Sequence, residues 1–359
     1  MSTSSDPRPV PALAVTLVSG SDPDACAGLA ATLSGVPAAK AQREFELPGA
    51  TAAEFAVELA EDLVADARTG MTGDLIVVLE AAADVVEVAL VLEHALDSQQ
   101  PRLPIGIREV IAVTTVHEIL ELLVRPDDTP SSAPPPADFD SPGRLAARLE
   151  FASIIVLGDV TDARSPAETG LVRALLARLA PAARMLSLTA VERQWRRSGL
   201  LIRSRAHRLG ASMGWRQHLA EGAPAVGTRE PVGVHVFRDP TPFHPERLLE
   251  AITTGLIPDE VGRIVRSRGF VRLATRPDRI GAWSTAGGIL DLDPTSMLSW
   301  DPDSPIGQEI VFFGLDLDRD ALDALLTGCL LEPAELAAGP GAWSGYNDPF
   351  PDWAVQHHH

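Results

Sequence analysis

The densest set of chemically capable side chains is a run of arginines. Between Arg184 and Leu219 stand eight of them (184, 193, 196, 197, 203, 205, 208 and 216) against one acid, Glu192. Arg193, Arg196, Arg197, Arg203, Arg205 and Arg208 have no acid between them. On a helix, Arg193 with Arg196 or Arg197, and Arg205 with Arg208, would share a face. Such a patch suits a contact with RNA or with an acidic partner. Pairing with the chain's own acids is the simpler alternative. Leu200, Leu201, Ile202 and Leu209 are interleaved with the arginines, so an amphipathic docking helix fits as well as a phosphate grip.

Soft or nucleophilic chemistry is scarce. Cys26 and Cys329 are the two cysteines of the chain, which gives neither a disulfide framework nor a metal cluster. His207, His218 and His235 lack ligand spacing. His244, beside Phe243 and between prolines, reads as a packing residue at a helix start. His357–His359 have the form of a purification-tag remnant and are set aside. No metal site is expected.

A third feature is positional. The apolar run Leu13–Ser19 ends at Gly20, and Asp22-Pro23-Asp24 suits a helix start before Ala25–Leu33. Strand, glycine, then helix is the setting in which backbone N–H groups hold phosphate.

The elements that would position these residues follow from apolar runs and turn signals. Strands are expected over Asp74–Glu80, Glu109–Thr115, Ser153–Leu157 and Met185–Leu188, with helices over Ala52–Arg68 and Ala167–Leu179. Nearly continuous apolar strands alternating with helices predict a parallel sheet covered on both faces. Residues 1–12 read as a disordered tail, 13–220 as an α/β domain with a mobile loop over 126–142, and 221–231 as a linker. Beyond it, strands are expected over Gly233–Arg238, Ile264–Ala274, Gly281–Asp291 and Gln308–Leu315, with helices over Pro245–Thr253 and Arg319–Leu330. That order predicts a small α+β domain over 232–353, helices on one face of an antiparallel sheet, and a tail over 354–359.

Composition narrows the function classes. The chain has 359 residues and a net charge of -19 (30 basic against 49 acidic), which opposes a generally nucleic-acid-coated surface and argues against DNA. No run approaches the ~20 apolar residues of a membrane span. The N-terminus lacks a secretory pattern. A cytoplasmic protein is the expectation.

Several segments together resemble the C-terminal domain of CobW-like proteins, P-loop GTPases tied to metal insertion and zinc homeostasis. They are Gly214-Trp215-Arg216, Pro242-Phe243-His244-Pro245-Glu246-Arg247, Arg268-Gly269-Phe270, Ala274-Thr275-Arg276-Pro277-Asp278, Gly281-Ala282-Trp283, Ala286-Gly287-Gly288 and Asp348-Pro349-Phe350. The family-motif residues are thus Phe243, His244, Arg247, Arg276 and Trp283. Locally, Ile306-Gly307-Gln308-Glu309 lacks the charged pair that the family often carries before its last strand.

The resemblance implies a P-loop GTPase-like domain ahead of this region, and there the working residues differ. Aligning Ser19-Gly20 with the family's Ser-Gly puts Cys26 at the phosphate-binding lysine and Ala27 at the magnesium hydroxyl. Pro23 removes an N–H from the cradle, and Asp22 and Asp24 add negative charge. Gly49-Ala50-Thr51-Ala52-Ala53 stands where the family's Gly-Cys-x-Cys-Cys binds zinc. Glu80-Ala81-Ala82-Ala83 retains only the glutamate of the γ-phosphate-sensing motif, and Gly158-Asp159-Val160-Thr161-Asp162 lacks the guanine-reading Asn-Lys.

A degenerate P-loop at Gly20, Asp22, Asp24, Cys26 and Ala27 implies a pseudo-GTPase without cofactor. The chain resembles an actinobacterial branch named for recruiting a ribosome hibernation factor under zinc limitation. That resemblance implies a non-catalytic adaptor with a protein partner, a hibernation factor or the ribosome, met through Arg193–Arg208. The alternative is a GTP-binding zinc metallochaperone using Zn and GTP/Mg.

Overall fold

The computed structural model describes residues 12–34, 51–99, 101, 103–125, 141–158, 165–191, 193, 209–210, 213–221 and 231–353. Residues 1–11, 126–140, 222–230 and 354–359, which make up most of the expected tails, mobile loop and linker, lie outside them. The chain divides into two compact units. One comprises Met1–Ile119, Arg144–Val172 and Ala180–Met213; the other comprises Leu120–Gly143, Arg173–Leu179 and Gly214–His359. This grouping interleaves along the chain where the sequence reading is sequential, and it places Gly214–Glu221 in the second unit.

The first unit is built on a parallel sheet of order β2-β1-β3-β4-β5. Its strands are β1 (Leu13–Gly20), β2 (Gly73–Val78), β3 (Ile105–Thr114), β4 (Ile154–Leu157) and β5 (Arg184–Ser187). Every residue of β1 is buried, as a strand covered on both faces requires. Helix α1 spans Pro23–Ser34, α2 Ala52–Arg68 and α3 Val85–Asp97. A short α4 (Val116–Ile119) continues as a wider turn over Leu120–Val124. Next come α5 (Ser141–Phe151) and α6 (Pro166–Leu179).

Several boundaries differ from expectation. Strand β2 stops at Val78 because Leu79 N–H makes the last bond to Val18 and Glu80–Ala83 then turns. Strand β3 begins at Ile105, where it already pairs with Leu13. Helix α3, capped by Asp84, stands where no element is expected from the sequence. Helix α5 starts inside the expected loop, with Pro142 in its first turn, where a missing N–H costs nothing.

The second unit is an antiparallel sheet of order β6-β10-β7-β8-β9. Helix α7 (Gly214–Glu221) precedes β6 (Gly233–Asp239), followed by α8 (Pro245–Glu250) and α9 (Pro258–Val261). Strands β7 (Arg263–Val271), β8 (Arg279–Ala286), β9 (Ile289–Leu298) and β10 (Gln308–Leu315) follow. Helices α10 (Arg319–Gly328), α11 (Pro333–Ala338) and α12 (Pro340–Trp343) complete the unit.

The expected single strand Gly281–Asp291 is instead a hairpin. Gly287 and Gly288 have φ of 56° and 79°, the two positive angles of a tight turn whose twist matches the strands, and Ala286 pairs with Ile289 across it. The sheet is also covered on both faces. Phe312 joins the cluster of Phe237, Phe243, Leu273 and Trp283, while the adjacent Phe313 packs toward His218 of α7. No helix among the described residues is long and apolar enough to cross a membrane.

Candidate functional site: the crevice at the end of β1

In a sheet of order 2-1-3-4-5 the crossovers leave β1 and β3 in opposite directions, and ligands bind in the crevice beyond their carboxyl ends. The Gly20–Ala27 segment lies there, so the structure brings Gly20, Asp22, Asp24, Cys26 and Ala27 to one place. Helix α1 begins at Pro23, which leaves only Ser21 and Asp22 between strand and helix. Residues that would form an open phosphate cradle are therefore wound into the helix.

The donors of that first turn are occupied from within. Asp22 Oδ1 accepts the N–H of Asp24 at 3.0 Å and of Ala25 at 3.1 Å. The N–H of Cys26 reaches the Asp22 carbonyl at 3.1 Å. Pro23 contributes no N–H. An exposed aspartate caps this helix in the ordinary way, and its carboxylate takes up the bonds an external anion would need.

The floor is filled by Cys26. The side chain is fully buried, and a Cβ added to Gly20 would meet Cys26 Sγ at 2.7 Å and Val113 O at 2.8 Å. Only glycine fits at that contact. Burial pushes the Cys26 thiol up to about 11, more than the nearby Arg148 charge pulls it down. At physiological pH it is therefore held as the neutral thiol, a weak nucleophile. Cys329, in the second unit, is likewise raised to about 11 by burial.

Sequence reasoning missed Arg148. It lies on α5 with 4% of its surface exposed and donates to the Ala81 carbonyl at 3.1 Å. Burial lowers its pKa, and the charge of Glu118 counters that shift. Glu118 in turn accepts the Thr114 hydroxyl at 2.7 Å. The legible sign of Arg148 in the sequence is its place on the amphipathic helix α5.

Thr51 and Glu54 form a reciprocal cap at the start of α2, and Gly49-Ala50 and Asp159–Asp162 lie outside the described residues. Arg184 pairs with the buried Glu109 at 2.9 Å, and Arg216 stacks 5.3 Å from the Trp215 ring. Arg193 is exposed; Arg196, Arg197, Arg203, Arg205 and Arg208 lie outside the described residues. Among the described residues no group of three or more His, Cys, Asp or Glu is placed to hold a metal ion. This donor set, with no lysine, no hydroxyl at position 27 and a capped helix start, does not fit a magnesium–nucleotide complex.

In the second unit the motif residues fasten the C-terminal segment. Phe243 is fully buried and stacks on Phe237 with centroids 6.1 Å apart. His244 occupies the N-cap position of α8, its ring 4.6 Å from Tyr346 and its Nδ1 without a hydrogen-bond partner. Arg247 grips both Glu335 oxygens, at 2.6 and 3.1 Å, and the Leu330 carbonyl. Arg276 donates to Asp348 at 2.8 Å and lies 4.4 Å from the Trp353 ring. Trp283 donates to Ser267 at 2.7 Å. These contacts make a packed seam, with no ligand set.

Residues 232–330 match the family model of the cobalamin synthesis protein cobW C-terminal domain. The chain is 26% identical over 236 residues to a zinc-regulated GTPase metalloprotein activator 1 of Dictyostelium discoideum, covering 57% of this chain and 47% of that protein. It is 31% identical over 160 residues to a zinc chaperone of Mycobacterium tuberculosis, covering 38% of each. The chain thus spans less than half the length of these curated relatives. Among solved structures it is similar to the Zn(II)-bound YjiA GTPase from E. coli, with 14% identity, a TM-score of 0.34, and coverage of 89% of this chain and 99% of that one.

Proposed function

We propose that this chain, which carries a cobW-type C-terminal domain, is a non-catalytic adaptor that binds a protein or ribosomal partner in the zinc-limitation response. One observation carries the reading: the loop after β1 is closed by its own side chains, Asp22 on the helix donors and Cys26 beneath Gly20. A loop in this state has no free cradle for phosphate, and Ala27 has no hydroxyl for magnesium. Zinc homeostasis is the setting suggested by the names of the similar proteins. The adaptor would work without a cofactor, in the cytoplasm, and would meet RNA or an acidic partner surface through Arg193–Arg208.

The second reading is a GTP-binding zinc metallochaperone, favoured by the same names. It requires Zn and GTP/Mg, for which Cys26 is a neutral thiol and Thr51–Ala53 offer no soft ligand. Isothermal titration of the full chain with GTP·Mg²⁺, and with Zn²⁺ after removal of His357–His359, separates the two. The adaptor reading expects no heat in either titration. A micromolar dissociation constant for GTP, or one tightly held zinc per chain, would replace it with the second reading.

A further inference from the structure

Strands β2, β1 and β3 are neighbours in that order. Their carboxyl ends lead into the Glu80–Ala83 turn, Ser21-Asp22 and Thr115. One side chain relates to all three. Arg148 lies on α5, the helix between β3 and β4 in the chain, and is 4% exposed. Its guanidinium donates to the Ala81 carbonyl at 3.1 Å, so the bond reaches a turn on the far side of β1. Glu118, whose opposite charge acts on Arg148, is tied to the end of β3. It accepts the Thr114 hydroxyl at 2.7 Å, and its N–H donates to the Thr115 hydroxyl at 3.0 Å. The Arg148 charge also acts on Cys26, the thiol beneath Gly20 at the end of β1. All of these residues belong to the first unit.

The turn that Arg148 reaches is otherwise held locally. Leu79 N–H makes the last strand bond, to the Val18 carbonyl, and Asp84 caps α3. Between these points stand one local bond, Ala83 N–H to the Glu80 carbonyl at 3.0 Å, and one long-range bond, from Arg148. Glu80 and Ala82 face solvent. A buried guanidinium is costly, and an apolar side chain of similar volume fills such a place at less cost. What the apolar side chain cannot do is donate to a carbonyl 67 residues back along the chain.

In nucleotide switches the segments around the γ-phosphate are ordered by it and released on hydrolysis. We propose that Arg148 is a built-in latch, a positioning residue that holds the Glu80–Ala83 turn in one state without any nucleotide. The inference rests on the adaptor reading, because in a working switch the bound nucleotide supplies that hold. The adaptor then presents the end of this sheet in a single fixed form.

The test is native-state hydrogen exchange of the full chain, without nucleotide, resolved to single amides. Arg148→Met keeps an apolar stem and removes the donors; Arg148→Lys keeps the charge and shortens the reach. In the Met variant the amides of Ala81–Ala83 should exchange about tenfold faster or more, as a local opening does. Those of Val15 and Leu17, inside β1, should be unchanged. The Lys variant should show a smaller rise at the same amides, and it carries the comparison alone if the Met variant does not fold. Guanidinium ion at a few millimolar, far below denaturing strength, should restore protection in the Met variant. Unchanged exchange at Ala81–Ala83 in a folded variant would overturn the proposal. An equal rise at Val15 and Leu17 would also overturn it, since Arg148 would then support the unit as a whole. Slowing of the wild-type turn by added GTP·Mg²⁺ would count against the adaptor reading separately, because the variants are compared in its absence.

Discussion

The turn at Asp22 and the seam at Arg247 and Arg276 both keep their charged groups occupied, but with partners at different distances. Asp22 bonds N–H groups two and three residues ahead. Arg247 reaches Glu335, 88 residues on, and Arg276 reaches Asp348, 72 residues on. The first closure forms as soon as α1 forms and ties nothing else down. The second is part of the tertiary structure, because each pair holds the C-terminal segment against strands and helices laid down much earlier. A change at the first place leaves the rest of the fold untouched. The second is part of the fold and is lost only with it.

The hardest test of that contrast is Phe243→Ala. The ring is fully buried and stacked on Phe237, and its backbone bridges Leu273 and Leu330. A loss of about 3–5 kcal/mol is expected, read as a lower urea midpoint of the second unit. A loss within the noise would mean that the seam is not structural.

Arg247→Ala is expected to cost less, about 2 kcal/mol for hydrogen bonds to a charged partner. It also carries a pH signature. The bonds from Arg247 hold the Glu335 carboxyl below its ordinary range. A depressed carboxyl contributes stability above its unfolded pKa, about 4.3, and loses it as pH falls through the lower folded value. The gap between wild type and variant should therefore be full at pH 7 and shrink in acid. A gap that widens in acid would assign Glu335 another role.

The smallest effect belongs to Asp22→Ala. Removing a helix cap costs about 1 kcal/mol, and the freed N–H groups of Asp24 and Ala25 should still bind no GTP, since Cys26 brings no charge. GTP binding gained by this single change would erase the distinction between the two regions.

What was legible in the chain follows the same division by distance. Strands β1, β4 and β10 show as apolar runs because strands buried on both faces must be apolar throughout. The helix start at Asp22-Pro23 and the Ala52–Arg68 helix show through local capping chemistry. The β8–β9 hairpin was written in Gly287-Gly288, but the apolar alternation on either side reads straight through it. Arg148 could not be found this way, since its partner Ala81 lies 67 residues back.

The Asp22 carboxylate has a consequence for any competing ligand. A group that is covalently part of its own binding loop is present at a fixed effective concentration, of the millimolar order that short tethers give. It cannot be diluted, hydrolysed or exchanged. Any anion that competes for the N–H groups of Asp24 and Ala25 has first to displace that carboxylate.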